Sequence, residues 1–146
     1  MDKASWEKQI THVRDALSGM GWLLHELPDE EDRVCFEEQA VYINSRNWPE
    51  TRFYTLLHEL GHIMVWANSH GFKTVVPMYV HSPEVPSDGR TERGKAYRVS
   101  LVAEELEAWK LGRRFALAQG LWINREKYDK HMTEAVMTYI DWAANE

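Results

Sequence analysis

The run FYTLLHELGHIMVW, residues 53 to 66, narrows what this chain can fold into more than any other segment. Its apolar residues belong in a core, yet it carries His58, Glu59 and His62 among them. Polar side chains buried without partners are costly, so two imidazoles and a carboxylate placed together call for one shared reason. In a helix, positions i and i+4 stand one above the other, and His58 and His62 therefore project toward a common point. Glu59 follows about 100° around the same helix, where it can reach a water held at that point without being a ligand itself. This is the geometry of a two-histidine metal clamp with a base beside it. Asn47, Pro49 and Glu50 supply the start of the helix: a cap-type side chain, an early proline, and an acid three residues after the cap.

Around that helix the hydrophobic spacing lays out the other elements. Trp6, Ile10, Val13, Leu17 and Met20 form one helical face, with Gly19 and Gly21 as the stop signal. Three short runs rich in aromatic and β-branched residues follow, Trp22 to Leu27, Arg33 to Glu37 and Ala40 to Asn44, and read as a small antiparallel sheet. From His70 to Arg98 the chain is loop-like, with prolines and glycines broken by an extended Thr74 to Val80; a connection of that length is expected to be functional or mobile. Two further helices are predicted, roughly Tyr97 to Gln119 and Asn124 to Ala144, the second with Tyr128, Met132, Ala135, Tyr139 and Trp142 on one stripe. The expected fold class is α+β: a small antiparallel three-stranded sheet packed on a helical bundle that contains the H-E-x-x-H helix. At 146 residues and 44% hydrophobic content, residues 1–146 are read as a single domain with its own core.

Composition removes several functions. A net charge of −6 and a pI of about 5.6 offer no clustered positive face for a phosphate backbone, so nucleic acid is not an expected partner. Cys35 is the one cysteine, which excludes an internal disulfide and a cysteine-based zinc ribbon. The opening MDKASWEKQI has no apolar signal-peptide core, and no apolar run approaches the roughly 18 residues of a membrane span, so a soluble cytoplasmic protein is expected. Cys35 reads as a small buried strand residue, and Trp66, Trp109 and Trp142 as residues on inward helix faces. Arg90, Arg93, Lys95 and Arg98 make a local positive patch, read first as a solvated face and second as a contact for an acidic substrate segment.

Two histidines do not complete a catalytic zinc site; a third protein ligand must arrive from elsewhere and leave one position for water. The extended pattern with a third histidine fails, because Val65 and Asn68 occupy the places of its Gly and His. Candidates are Glu104, Glu105 and Glu107 in VAEELEAWKLG, or His70 or His81. Glu105 shares its stripe with Leu101, Ala108, Gly112 and Phe115, an apolar face whose small residues permit close approach of another helix, and ranks first. Glu107 lies with Lys110, Leu111 and Arg114 on a mixed face suited to a solvated charge; Glu104 sits between the two and ranks second.

The stretch AVYINSRNWPETRFYTLLHELGHIM resembles the ImmA/IrrE-type metallopeptidases, and EELEAW is similar to that family's downstream E-x-x-A-N. The resemblance spans roughly residues 20 to 115, with Trp109 standing where the family often has Asn. It implies a minimal zincin-like domain, histidine ligands at His58 and His62, a catalytic glutamate at Glu59 and a third ligand at Glu105. It also implies a Zn²⁺ peptidase acting on a specific cytoplasmic protein, such as a transcriptional repressor in phage, mobile-element or stress biology. A donor to the developing oxyanion is then expected, with Tyr79, His81 and Tyr97 as candidates. Two other classes stand beside the peptidase: a zinc-binding regulatory protein with little turnover, and an interaction domain whose metal serves folding alone. An intact Glu59 favours the enzyme, since a structural site needs no base. Substrate, physiological metal and oligomeric state are not set by the sequence.

Overall fold

A computed structural model describes residues 1–67 and 94–145. The long loop read from residues 70 to 98, with its extended Thr74 to Val80, His70, His81, Tyr79, Arg90 and Arg93, therefore falls largely outside the described residues. Helix α1 (Lys3–Gly19) starts at Asp2, whose side chain accepts from the Ser5 amide at 2.8 Å. It buries Trp6, Ile10, Val13 and Leu17 of the expected stripe, whereas Met20, the C-cap just past the last helical residue, is 48% exposed. Gly21, at φ +84°, turns the chain so that the Trp22 amide returns to the Leu17 carbonyl at 2.9 Å.

Strands β1 (Leu23–Leu27), β2 (Arg33–Cys35) and β3 (Ala40–Asn44) form one sheet in the order β1-β3-β2. The α+β class holds, but the sheet is mixed rather than antiparallel. β2 pairs antiparallel with β3, whereas β1 runs parallel to it in the register Leu23↔Ala40 to Leu27↔Asn44. The tight connection from Phe36 to Gln39, with Gln39 at φ +51°, can only reverse the chain. The longer segment between β1 and β2 leaves room for β3 to enter the middle. That placement buries Ala40, Val41 and Ile43, the most apolar of the three strands, and strand alternation alone carries no information about it.

Helix α2 (Pro49–Ala67) is anchored at its start by Arg52, 7% exposed, whose guanidinium joins Glu7 of α1 and Glu26 of β1 while its Nε donates to the Asn47 carbonyl at 3.0 Å. A buried guanidinium with both carboxylates satisfied locks helix, helix and sheet in one arrangement. Helix α3 (Lys95–Ala118) then packs along α2 at unusually short range. A Cβ on Gly61 would lie 1.8 Å from the Ala108 carbonyl oxygen, and one on Gly112 would lie 2.3 Å from that of Leu57. Each helix thus offers a glycine where the other's backbone passes.

Helix α4 (Arg125–Ala144) is capped by Asn124, which accepts from the Lys127 amide at 3.1 Å, and packs Tyr128 and Val136 into the core. Trp109 is buried as expected, but Trp66 and Trp142 are 40% and 42% exposed. Both stand in the last turn of their helices, beyond most of the surface those helices pack on; Trp66 keeps a tilted ring contact with Phe36, and Trp142 an edge contact with Tyr97. Cys35 is a free thiol, half-buried in β2. Lys95 is exposed, whereas Arg98 reaches the Ala143 carbonyl at 3.3 Å instead of facing only solvent. Among the described residues no helix is long and apolar enough to cross a membrane.

Candidate metal centre

One turn apart on α2, His58 and His62 bring their rings to a centroid separation of 4.6 Å and their Nε2 atoms to 3.0 Å. The close crossing at Gly61 and Gly112 delivers Glu105 of α3 to the same point. Its Oε2 lies 2.8 Å from His58 Nε2 and its Oε1 lies 2.9 Å from His62 Nε2. One donor atom from each of the three residues lies within 4.8 Å of the other two, so this His-His-Glu group could hold a metal ion. Glu105, ranked first in the sequence reading, is the acid brought to the histidines' inner nitrogens. Glu104 instead meets the outer nitrogen of His62, Nδ1, at 3.3 Å, and Glu107 is not in the group.

The protonation pattern tests whether a cation fits here. Burial works against the imidazolium of His62, but hydrogen bonds to Glu104 and Glu105 outweigh it and raise its pKa to about 10. Burial likewise opposes ionisation of Glu105, yet hydrogen bonds from His58 and His62 hold its carboxyl well below the usual carboxylate range. In the protein alone a proton on His62 thus supplies the positive charge that the converging donors require. A divalent cation bound by two imidazoles and a carboxylate meets the same demand, so the residues fit a metal by charge as well as by geometry.

The remaining walls come from β2 with the residues flanking it, from α3 and from α4. Glu31, Asp32, Arg33, Val34 and Phe36 face Leu101, Glu104, Glu105 and Tyr139 across a cavity of about 300 Å³, with His58, Glu59 and His62 at its floor. Glu59 is buried, its Oε1 3.6 Å from His58 Nδ1, too far for a hydrogen bond. Burial raises its pKa, opposed by His58 and His62 and reinforced by Glu105 and Asp32, in the direction that suits a group accepting a proton near neutrality. Asp32 accepts from the Asn44 amide at 2.7 Å, and its burial raises its pKa too. Trp109 lies flat on the His58 ring, 4.3 Å between centroids at 7°, and Tyr128 packs its own ring edge-on against the indole at 5.4 Å and 77°.

Comparison with family models, with curated proteins and with solved structures returns no match.

Of the expected oxyanion donors, Tyr79 and His81 lie outside the described residues, and Tyr97 packs beside Trp142 rather than lining the cavity. Among the described residues, the phenol in the cavity is Tyr139, placed by the sequence reading on the core stripe of α4. Burial and the adjacent Glu105 carboxylate push its pKa well above the ordinary value, so it remains a hydroxyl donor. Nothing local marks it: Tyr139 has the same spacing as its core neighbours, and only the packing of α4 over α3 turns it toward the histidines.

Proposed function

We propose that this chain is a zinc-dependent peptidase with His58, His62 and Glu105 as ligands and Glu59 as general base. The observation that carries the reading is the convergence of those three donors on a cavity floor that also holds a buried glutamate of raised pKa. A structural metal site has no use for such a base. Bound there, zinc would supply Lewis acidity to polarise a scissile carbonyl and acidify a water. Glu59 takes a proton from the attacking water and returns it to the departing amine. Tyr139 donates its hydroxyl toward the oxygen that gains charge, and the walls formed by Val34, Phe36 and Leu101 limit the water around the reacting groups.

The substrate is a protein or peptide. Resemblance to ImmA/IrrE-type metallopeptidases, carried by FYTLLHELGHIM and EELEAW, points to regulated cleavage of one cytoplasmic protein, such as a repressor. The test pairs zinc content with hydrolysis of a mixed peptide library read by mass spectrometry. Glu59→Gln is expected to keep one zinc per chain and lose cleavage by at least about 10²-fold, at the low end for a positioned general base. Loss of metal together with activity contradicts the role of Glu59; zinc bound by the native protein with no peptide cut selects the regulatory zinc protein instead.

A further inference from the structure

An imidazole that gives one nitrogen to a metal must keep a proton on the other, and that N–H needs an acceptor to fix the tautomer and the ring plane. The two histidines meet this requirement differently. His58 has its ring plane set by the stacked indole of Trp109, while its Nδ1 stands 3.6 Å from Glu59, beyond hydrogen-bond range. His62 has its inner nitrogen, Nε2, among the converging donors, 3.0 Å from His58 Nε2 and 2.9 Å from Glu105 Oε1. Its outer nitrogen, Nδ1, faces Glu104 Oε1 at 3.3 Å.

Glu104 is 1% exposed, more deeply buried than Glu105 at 3%. A carboxylate so far from water is costly to maintain unless it is bonded to something that gains from it. It cannot serve as a further ligand on the inner side, because the nitrogen it reaches points away from the convergence of His58, His62 and Glu105. Consecutive acids on α3 thus divide the work: one enters between the two Nε2 atoms, and its neighbour passes behind His62.

We propose that Glu104 is a positioning residue that accepts the Nδ1–H of His62, so that the Nε2 lone pair is presented to the metal and binding is tightened. The proposal rests on the metal-site reading of His58, His62 and Glu105 and is independent of peptidase activity.

The test uses the full chain and Zn²⁺ alone, titrated against a chelator, for the native protein, Glu104→Gln, Glu104→Ala and Glu105→Ala. Glu104→Ala is expected to weaken zinc binding about 10–100-fold, the usual effect of removing the acceptor behind a ligating histidine. Glu104→Gln keeps an acceptor oxygen and is expected to recover most of that loss. Nitrogen-15 spectra of the zinc-loaded native protein should show His62 bound through Nε2 with a protected Nδ1–H, which becomes fast-exchanging in Glu104→Ala. Affinity unchanged in Glu104→Ala, or His62 bound through Nδ1, overturns the proposal. So does abolished binding in Glu104→Ala with Glu105→Ala unaffected, which makes Glu104 the ligand. No zinc binding by the native protein overturns the metal reading itself. Should Glu104→Ala fail to fold, the native spectrum and Glu104→Gln decide: an Nδ1–H protected in both supports the role, and its absence from the native protein refutes it.

Discussion

Replacing Gly61 by alanine sets two effects against each other. Alanine is the better helix former by about 1 kcal/mol, so α2 in isolation should gain. In the folded protein the new Cβ would start 1.8 Å from the Ala108 carbonyl oxygen, whereas Cβ atoms essentially never come closer than 3.0 Å, so the helices must part locally by about 1.2 Å. The obstructing group is backbone, which cannot swing aside as the end of a side chain can. Overpacking costs typically 1–3 kcal/mol, and against rigid backbone the upper part of that range, about 2–3 kcal/mol, applies, which outweighs the helical gain and leaves a net loss of about 1–2 kcal/mol. For a chain of 146 residues that lowers Tm by several degrees, roughly 3–8 °C. The same displacement pulls Glu105 from the histidines, now 2.8 and 2.9 Å away, and zinc ligands need to stand about 2.0–2.2 Å from the ion. Zinc affinity should therefore fall at least about tenfold, equivalent to about 1.4 kcal/mol. Thermal unfolding with chelator measures the first effect, and competition titration the second. A Gly61→Ala protein that melts at or above the native temperature and binds zinc equally well would refute the close-crossing explanation of both fold and site.

Three further outcomes can be checked on the same protein. Saturating zinc at about 100 times its Kd should stabilise the fold by about 2.7 kcal/mol and raise Tm by roughly 5–10 °C; a Tm indifferent to zinc or chelator removes the metal site. Tyr139→Phe should leave zinc affinity unchanged while lowering kcat on the cleaved peptide about 10²-fold, and a fall in zinc affinity instead assigns its hydroxyl to supporting Glu105. Asp32 has a folded pKa raised above its ordinary 3.8, so the folded state prefers the protonated acid, and stability falls as pH rises from 3.8 through the folded value. Asp32→Asn keeps an acceptor for the Asn44 amide and escapes that fall, so with chelator present its Tm advantage over the native protein should be larger at pH 7 than at pH 4; an advantage independent of pH contradicts the burial of this charge.

Much of the helical framework is legible in local spacing because it depends on neighbours three and four residues away. The stripe of α1 and the shared direction of His58 and His62 follow from 3.6 residues per turn, and the start of α2 follows from Pro49, whose ring suits the first helical position. So does the preference for Glu105 over Glu107, since Ala108 and Gly112 on its stripe mark a face made for close approach. Strand direction was not legible in the same way: a period of two tells which residues face the core, and β1 could satisfy it against either neighbour in either direction. The exposure of Trp66 and Trp142 escaped for a related reason, because periodicity continues to the end of a helix whether or not the packing surface does.

The sequence by itself determined that three polar groups share one helical turn of an apolar helix, and that an acid on a later helix faces inward. Only the tertiary structure decided what surrounds them: Glu104 on the outer nitrogen of His62, Trp109 flat against His58, and Tyr139 brought over from α4. The physical reason is range. Within a helix the backbone hydrogen bonds hold residues i and i+4 in a known relation, whatever else the chain does. Between helices the spacing and the approach of each side chain depend on how two surfaces fit, and here they depend on the absence of two Cβ atoms, at Gly61 and Gly112, at the point of crossing.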